Sequence, residues 1–189
     1  MKKTEKSLAP TLWRTCRVLA SPNRLRCLKA VLKAPGRTVE DVAAAVGLTE
    51  PKTSLALRAL QSRGILSSRR LSRWAHYHPE PDPAVATAKP FLDAAKYALV
   101  DNRMPEQDFR SAMQAYTHPR RIAIVRAVAH ADNLQPADLC EMLHVSPEAM
   151  GRHLKKLKTL GVVHLTRKGC ALAPPGSDLA KDLLDIILS

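Results

Sequence analysis

Aromatic side chains make up only 4% of the 189 residues, so any core has to be built from Leu, Val, Ile and Ala. The four cysteines, Cys16, Cys27, Cys140 and Cys170, are scattered and never spaced as C-x-x-C. That excludes a disulfide framework and a zinc-ligand pattern. No apolar run is long enough to span a bilayer. The basic start, Met1-Lys2-Lys3-Thr4-Glu5-Lys6, is followed by no long apolar stretch, so a signal peptide is not expected and a cytoplasmic protein is. Gly-rich phosphate loops, nucleophile elbows and zinc-protease motifs are missing. The 17 Asp and Glu are too dispersed to nominate an acid/base pair. The histidines form no H-x-x-x-H pair; His76 and His78 flank Tyr77 in an alternating segment and face away from it. The expectation is a non-enzyme with no assigned cofactor or metal. A redox role for a cysteine stays open.

Positive charge is abundant, with 30 Lys and Arg giving a net charge of +13. It is lopsided: residues 1–80 carry 16 basic and 5 acidic side chains, and residues 107–189 carry 11 and 8. Such a surface attracts polyanions, and double-stranded DNA is the expected partner.

The chain also repeats itself. A shift of 97 residues places Pro22 on Pro119, Arg24 on Arg121, Asp41 on Asp138, Leu57 on Leu154, Leu60 on Leu157 and Gly64 on Gly161. No gap is needed, and the apolar positions superpose as well. A unit this long predicts two tandem domains rather than a solenoid. The expected divisions are residues 1–80, a helical linker at 81–106, and residues 107–189. Each half is close to the lower size limit for an independent core, so the halves should pack on each other or on a partner chain.

Within one unit the punctuation is clear. Ser21-Pro22 opens a helix and Pro35-Gly36 closes it. Thr38 with Asp41 starts a second, Gly47 breaks it, Thr49 starts a third, and Gly64 stops that one. Ile65-Leu66 and Trp74 to His78 read as strands around the arginine-rich segment 67–73, with Trp74 read as a core residue at the hairpin root in preference to a base-stacking platform. The second unit follows suit, with a shorter and less charged hairpin tip at Thr166-Arg167-Lys168-Gly169. The predicted class is mainly α with small β-hairpin wings, as tandem winged helix-turn-helix domains related by an internal repeat.

Leu19-Ala20-Ser21-Pro22-Asn23-Arg24-Leu25-Arg26-Cys27-Leu28 resembles the opening of the ArsR-type winged-helix repressors. Arg152-His153-Leu154-Lys155-Lys156-Leu157 is similar to their recognition helix, and Gly64-Ile65-Leu66 with Arg73-Trp74 is similar to their wing. The resemblance covers about residues 10–80 and 107–175. It implies a transcriptional repressor whose two domains form a covalent pseudo-dimer. One departure is that Leu55 and Ala56 stand where the second unit has Arg152 and His153.

The expected DNA contacts follow. Lys52, Thr53, Ser54 and Arg58 lie on the exposed face of the first reader helix. Arg152 is the base reader of the second, His153 either contacts DNA or packs, and Lys155 and Lys156 meet phosphates. Arg69, Arg70 and Arg73 of the first wing, and Arg167 and Lys168 of the second, should meet the backbone or the minor groove. Half-sites about one helical turn apart are expected. Helices are predicted over Leu8–Leu19, Ala84–Val100 (with Pro90 as a kink or a late start), after Met104-Pro105, and over Asp178–Leu188. These pair within one chain or build a homodimer; both remain open. A reading from another class also stays open, a tandem winged-helix protein-interaction module of a chromosome-associated complex with only non-specific DNA affinity.

Overall fold

The computed structural model describes residues 11–131 and 133–189. The basic segment Met1–Lys6 and the expected helix start at Leu8 lie outside the described residues.

Four helices lead to the first hairpin: α1 (Leu12–Leu19), α2 (Pro22–Lys33), α3 (Val39–Val46) and α4 (Glu50–Gln61), then β1 (Ser67–Leu71) and β2 (Trp74–His78). After α5 (Ala88–Lys96) and a π-helical turn (Tyr97–Asp101) comes a similar order: α6 (Glu106–Ala115), α7 (Pro119–His130), α8 (Pro136–Leu143), α9 (Pro147–Thr159), β3 (Val163–Thr166) and β4 (Gly169–Leu172). Helix α10 (Asp178–Leu188) ends the chain.

Local chemistry sets these bounds. Pro22 and Pro119 each occupy the first helical position, where a missing N–H leaves nothing unpaired. Thr38 and Asp41 close a reciprocal capping box at α3: the Thr38 N–H donates to the Asp41 carboxylate (2.9 Å) and the Asp41 N–H to Thr38 Oγ1 (3.2 Å). At α8 the Gln135 N–H donates to Asp138 in the same way (3.2 Å). Helix α3 ends on Gly47 at φ +67° and α8 on His144 at φ +48°, so a β-carbon is carried where glycine is favoured. The capping expected of Ser21 and Thr49 does not form; both are extended, but neither side chain bonds its helix, whereas Ser146 accepts from the Ala149 N–H (3.4 Å).

The linker differs from the expectation. Its helix begins at Ala88 rather than Ala84, because Asp82 holds a turn: its side chain accepts from the Ala84 N–H (2.9 Å) and its carbonyl from Val85 N–H (3.0 Å). Pro90 then falls in the first turn of α5, where it is tolerated.

Each hairpin is antiparallel. Ser67 pairs with His78 and Leu71 with Trp74 in the first, Val163 with Leu172 and Thr166 with Gly169 in the second. A single bridge adds a third edge to each, Arg37 with Tyr77 and Leu134 with Cys170. These bridges tie each wing to the segment entering α3 or α8.

One apolar core runs through both halves, joining Leu25, Leu28, Leu57 and Leu60 to Phe91, Phe109 and Met113, and onward to Ile124, Leu139, Leu154 and Leu183. Helix α1 packs on α6 and α7, and α5 packs on α10. Polar contacts reinforce the junction: Arg110 Nε donates to the Ala20 carbonyl (3.0 Å), and Lys29 pairs with Glu106 (3.3 Å). Among the described residues no helix is long and apolar enough to cross a membrane.

Candidate nucleic-acid interface

Helix α4 buries Thr53, Ala56, Leu57 and Leu60 and turns Lys52, Leu55 and Arg58 to solvent. The guanidinium of Arg58 donates twice to Ser54 Oγ (3.2 and 2.8 Å), which lays it along the helix. Thr53 corrects the expectation. It lies three and four residues before Ala56 and Leu57, on the core stripe, and is fully buried with its hydroxyl unpartnered. It cannot reach a duplex. A buried hydroxyl without a partner costs about 1–3 kcal/mol. Thr53→Val, nearly equal in shape, is therefore expected to raise unfolding stability by about 1 kcal/mol in urea and to leave DNA affinity unchanged.

The first wing carries three arginines. Arg69 pairs with Glu80 (2.6 Å), and Ser67 Oγ donates to the same carboxylate (2.8 Å). The Ser67 hydroxyl first, and Arg69 with it, hold the Glu80 carboxyl below the usual range. Arg70 and Arg73 are exposed, and Arg73 lies over the Trp74 ring at 4.9 Å. Gln61 Nε2 donates to Ser68 Oγ (3.0 Å), fastening this wing to the end of α4. Trp74 is a second correction. It is 45% exposed rather than a root residue, because its partner across the hairpin is Leu71 at the closing turn; Tyr77 fills the root instead.

Helix α9 buries Ala149, Met150, Leu154 and Leu157 and exposes Arg152, Lys155, Lys156 and Lys158. His153, between the two faces, packs against His118 in a tilted arrangement with ring centroids 4.6 Å apart. His118 in turn accepts the Arg120 N–H on Nδ1 (3.1 Å) and caps α7. The packing role left open for His153 is met by this contact, and the residue stays half-exposed. Arg167 and Lys168 are exposed at the second wing turn, and Gln135 Nε2 donates to the Lys168 carbonyl (3.0 Å).

Burial first, then Arg121 and Arg120, holds His118 below its usual pKa; burial, His118 and the neighbouring arginines do the same to His153. Both imidazoles are thus neutral more persistently in the folded than in the unfolded chain. The unfolded state takes up protons first as pH falls, so this stabilisation is complete above about 6.5 and is lost as pH drops through the folded values. Thermal melts across that range should show the loss, and His153→Gln should flatten it.

All four cysteines are free, and burial pushes the Cys16 thiol up to about 12 and the Cys27 thiol up to about 11, and raises that of Cys170. Half-buried Cys140 lines a cleft of about 750 Å³ with Pro136, Met150, Leu154, Lys155 and Leu165. Among the described residues no three His, Cys, Asp or Glu converge as metal ligands.

Among the described residues the ion pairs are Lys29–Glu106, Arg69–Glu80 and Lys89–Asp93. Of the cations proposed to meet DNA, only Arg69 is therefore matched by a carboxylate there. No curated protein matches the chain. Residues 118–164, which run from the cap of α7 through the exposed cations of α9 into β3, match the family model described as bacterial regulatory protein, arsR family, so this stretch is similar to ArsR-type helix-turn-helix regulators.

Proposed function

We propose that the chain is a sequence-specific DNA-binding transcriptional regulator that represses by occupying an operator. The observation that carries this reading is the outward row of α9: Arg152, Lys155 and Lys156 are exposed and matched by no carboxylate among the described residues, within the stretch similar to the arsR family. A reader helix enters the major groove with base contacts from one or two side chains and phosphate contacts from the rest. Arg152 suits the fork onto guanine; Lys155 and Lys156 suit phosphates.

In this reading residues 1–80 form a second such unit, 107–189 the first-named kind, and 81–106 joins them. Its support is the recurring offset: α2 and α7, α3 and α8, and Gly64 and Gly161 (both at φ +70°) all stand 97 residues apart. The packing of α1 on α6 and of α5 on α10 supports pairing within one chain rather than between chains. Lys52 and Arg58 supply the first reader, and Arg70 and Arg73 with Arg167 and Lys168 supply backbone contacts from the wings.

The test is selection from a random-site duplex pool followed by salt-titrated binding. The expected result is a motif with two recognised elements about one helical turn apart, and an affinity that falls steeply with salt. Sequence-blind binding overturns it in favour of the protein-interaction module, to which the exposed Leu55 (65%) lends its one specific support.

A further inference from the structure

The first wing ends in an apolar point. Leu71 and Trp74 face each other across a two-residue turn, Ser72-Arg73, and are 69% and 45% exposed. Ser72 sits at φ +57°, the left-handed conformation that a two-residue hairpin turn requires at its first central position. The two side chains have no core to join; Tyr77, three residues on, fills that place. The second wing has nothing similar, since its turn is Arg167-Lys168 closed by Thr166 and Gly169.

The setting of the point is cationic. Arg70 and Arg73 are exposed beside it, and the Arg73 guanidinium lies over the indole, 4.9 Å from its centroid. The Gln61–Ser68 hydrogen bond joins the hairpin to the end of α4, the helix that carries Lys52 and Arg58. An exposed large apolar pair set among arginines fits one kind of target, a polyanion with flat apolar layers inside it. A DNA duplex is that target, with phosphates outside and stacked bases within.

We infer that Trp74, backed by Leu71, is a wedge that enters the minor groove and partly unstacks one base step of the duplex. The inference rests on the DNA-binding reading above. Apolar side chains inserted in this way kink the duplex and let it wrap more protein surface. Pyrimidine–purine steps unstack most easily, so the wedge confers a preference for TA or CA at a fixed distance from the base pairs read by α4. It does so without a hydrogen bond to a base. Because the indole is uncharged, it contributes to affinity and leaves the salt slope alone.

The experiment uses the full chain in a Trp13→Phe background, so that Trp74 is the sole tryptophan. It is titrated with duplexes from the selected pool carrying 2-aminopurine at each position under the wing. Wedging predicts a rise in 2-aminopurine emission at one step, protection of Trp74 from a soluble quencher, and loss of the TA or CA preference in Trp74→Ala. Affinity falls about tenfold in that variant, within the range of base–aromatic stacking, with an unchanged salt slope. Trp74→Phe restores part of it. If the Trp13→Phe protein binds duplex with silent 2-aminopurine and a quencher-accessible Trp74, the wedge is wrong and the DNA-binding reading survives. If it binds no duplex at low salt, both fall. Trp74 protection by anionic vesicles rather than by duplex likewise overturns the inference.

Discussion

Alanine at Arg152, Lys155 and Lys156 together weakens binding to the selected duplex by about a hundredfold or more at physiological salt. A forked arginine–guanine contact is worth about 1–3 kcal/mol of discrimination, and each lysine lost from a phosphate lowers the salt slope by about one. The three effects separate cleanly. Arg152→Ala alone relaxes the preference at one base pair; Lys155→Ala and Lys156→Ala weaken all sequences alike. Arg152→Lys keeps the charge but loses the fork, so it retains the slope and forfeits the preference. Anisotropy titrations at several salt concentrations read all of this. Folding is not at issue, since exposed substitutions of this kind change stability by only about 0.5 kcal/mol. An Arg152→Ala protein that matches the wild type on every duplex removes α9 from the role of reader.

Gly169→Ala is the largest expected loss of stability. Gly169 opens β4 at φ +129°, a conformation that side-chain-bearing residues rarely adopt. A β-carbon there would stand 2.8 Å from the Leu134 carbonyl oxygen and closer still to that of Asn133. The Leu134 carbonyl is held in place, because the Cys170 N–H donates to it (2.8 Å) in the bridge that anchors the second wing. Backbone strain and overpacking each cost about 1–3 kcal/mol, so a loss of about 3 kcal/mol is expected. Urea unfolding measures it. Gly151→Ala is the matched control: it lies on the exposed side of α9 with open space around it, and in a helix interior it should gain about 0.5–1 kcal/mol.

Much of the helical framework was legible because its signals are local. Pro22, Pro119 and Pro136 begin helices, Gly47, Gly64 and Gly161 end them, and the Thr38–Asp41 box forms as its spacing predicts. What escaped depended on tertiary placement. Thr53 carries a polar side chain on the core stripe, and its chemistry suggested the opposite face. Trp74 looked like a core residue because tryptophan usually is one; only the register, which pairs it with Leu71 beside the turn, sends it outward. The His118–His153 contact joins residues 35 apart and has no spacing signature at all. Nor did the sequence foretell that Glu80 holds Arg69, since the pair closes across the base of a hairpin.

On the function proposed above, with a reader in each half, the junction held by Arg110 on Ala20 and Lys29 on Glu106 has a consequence for regulation. A regulator assembled from two identical polypeptides falls apart on dilution and is confined to palindromes. Two readers inside a single polypeptide escape both limits. Occupancy would then rise in simple proportion to copy number, without a threshold, and each reader would be at liberty to differ, as Leu55 differs from Arg152 at the matching position. The operator of such a protein is expected to be a composite of two unlike words, read in one direction only.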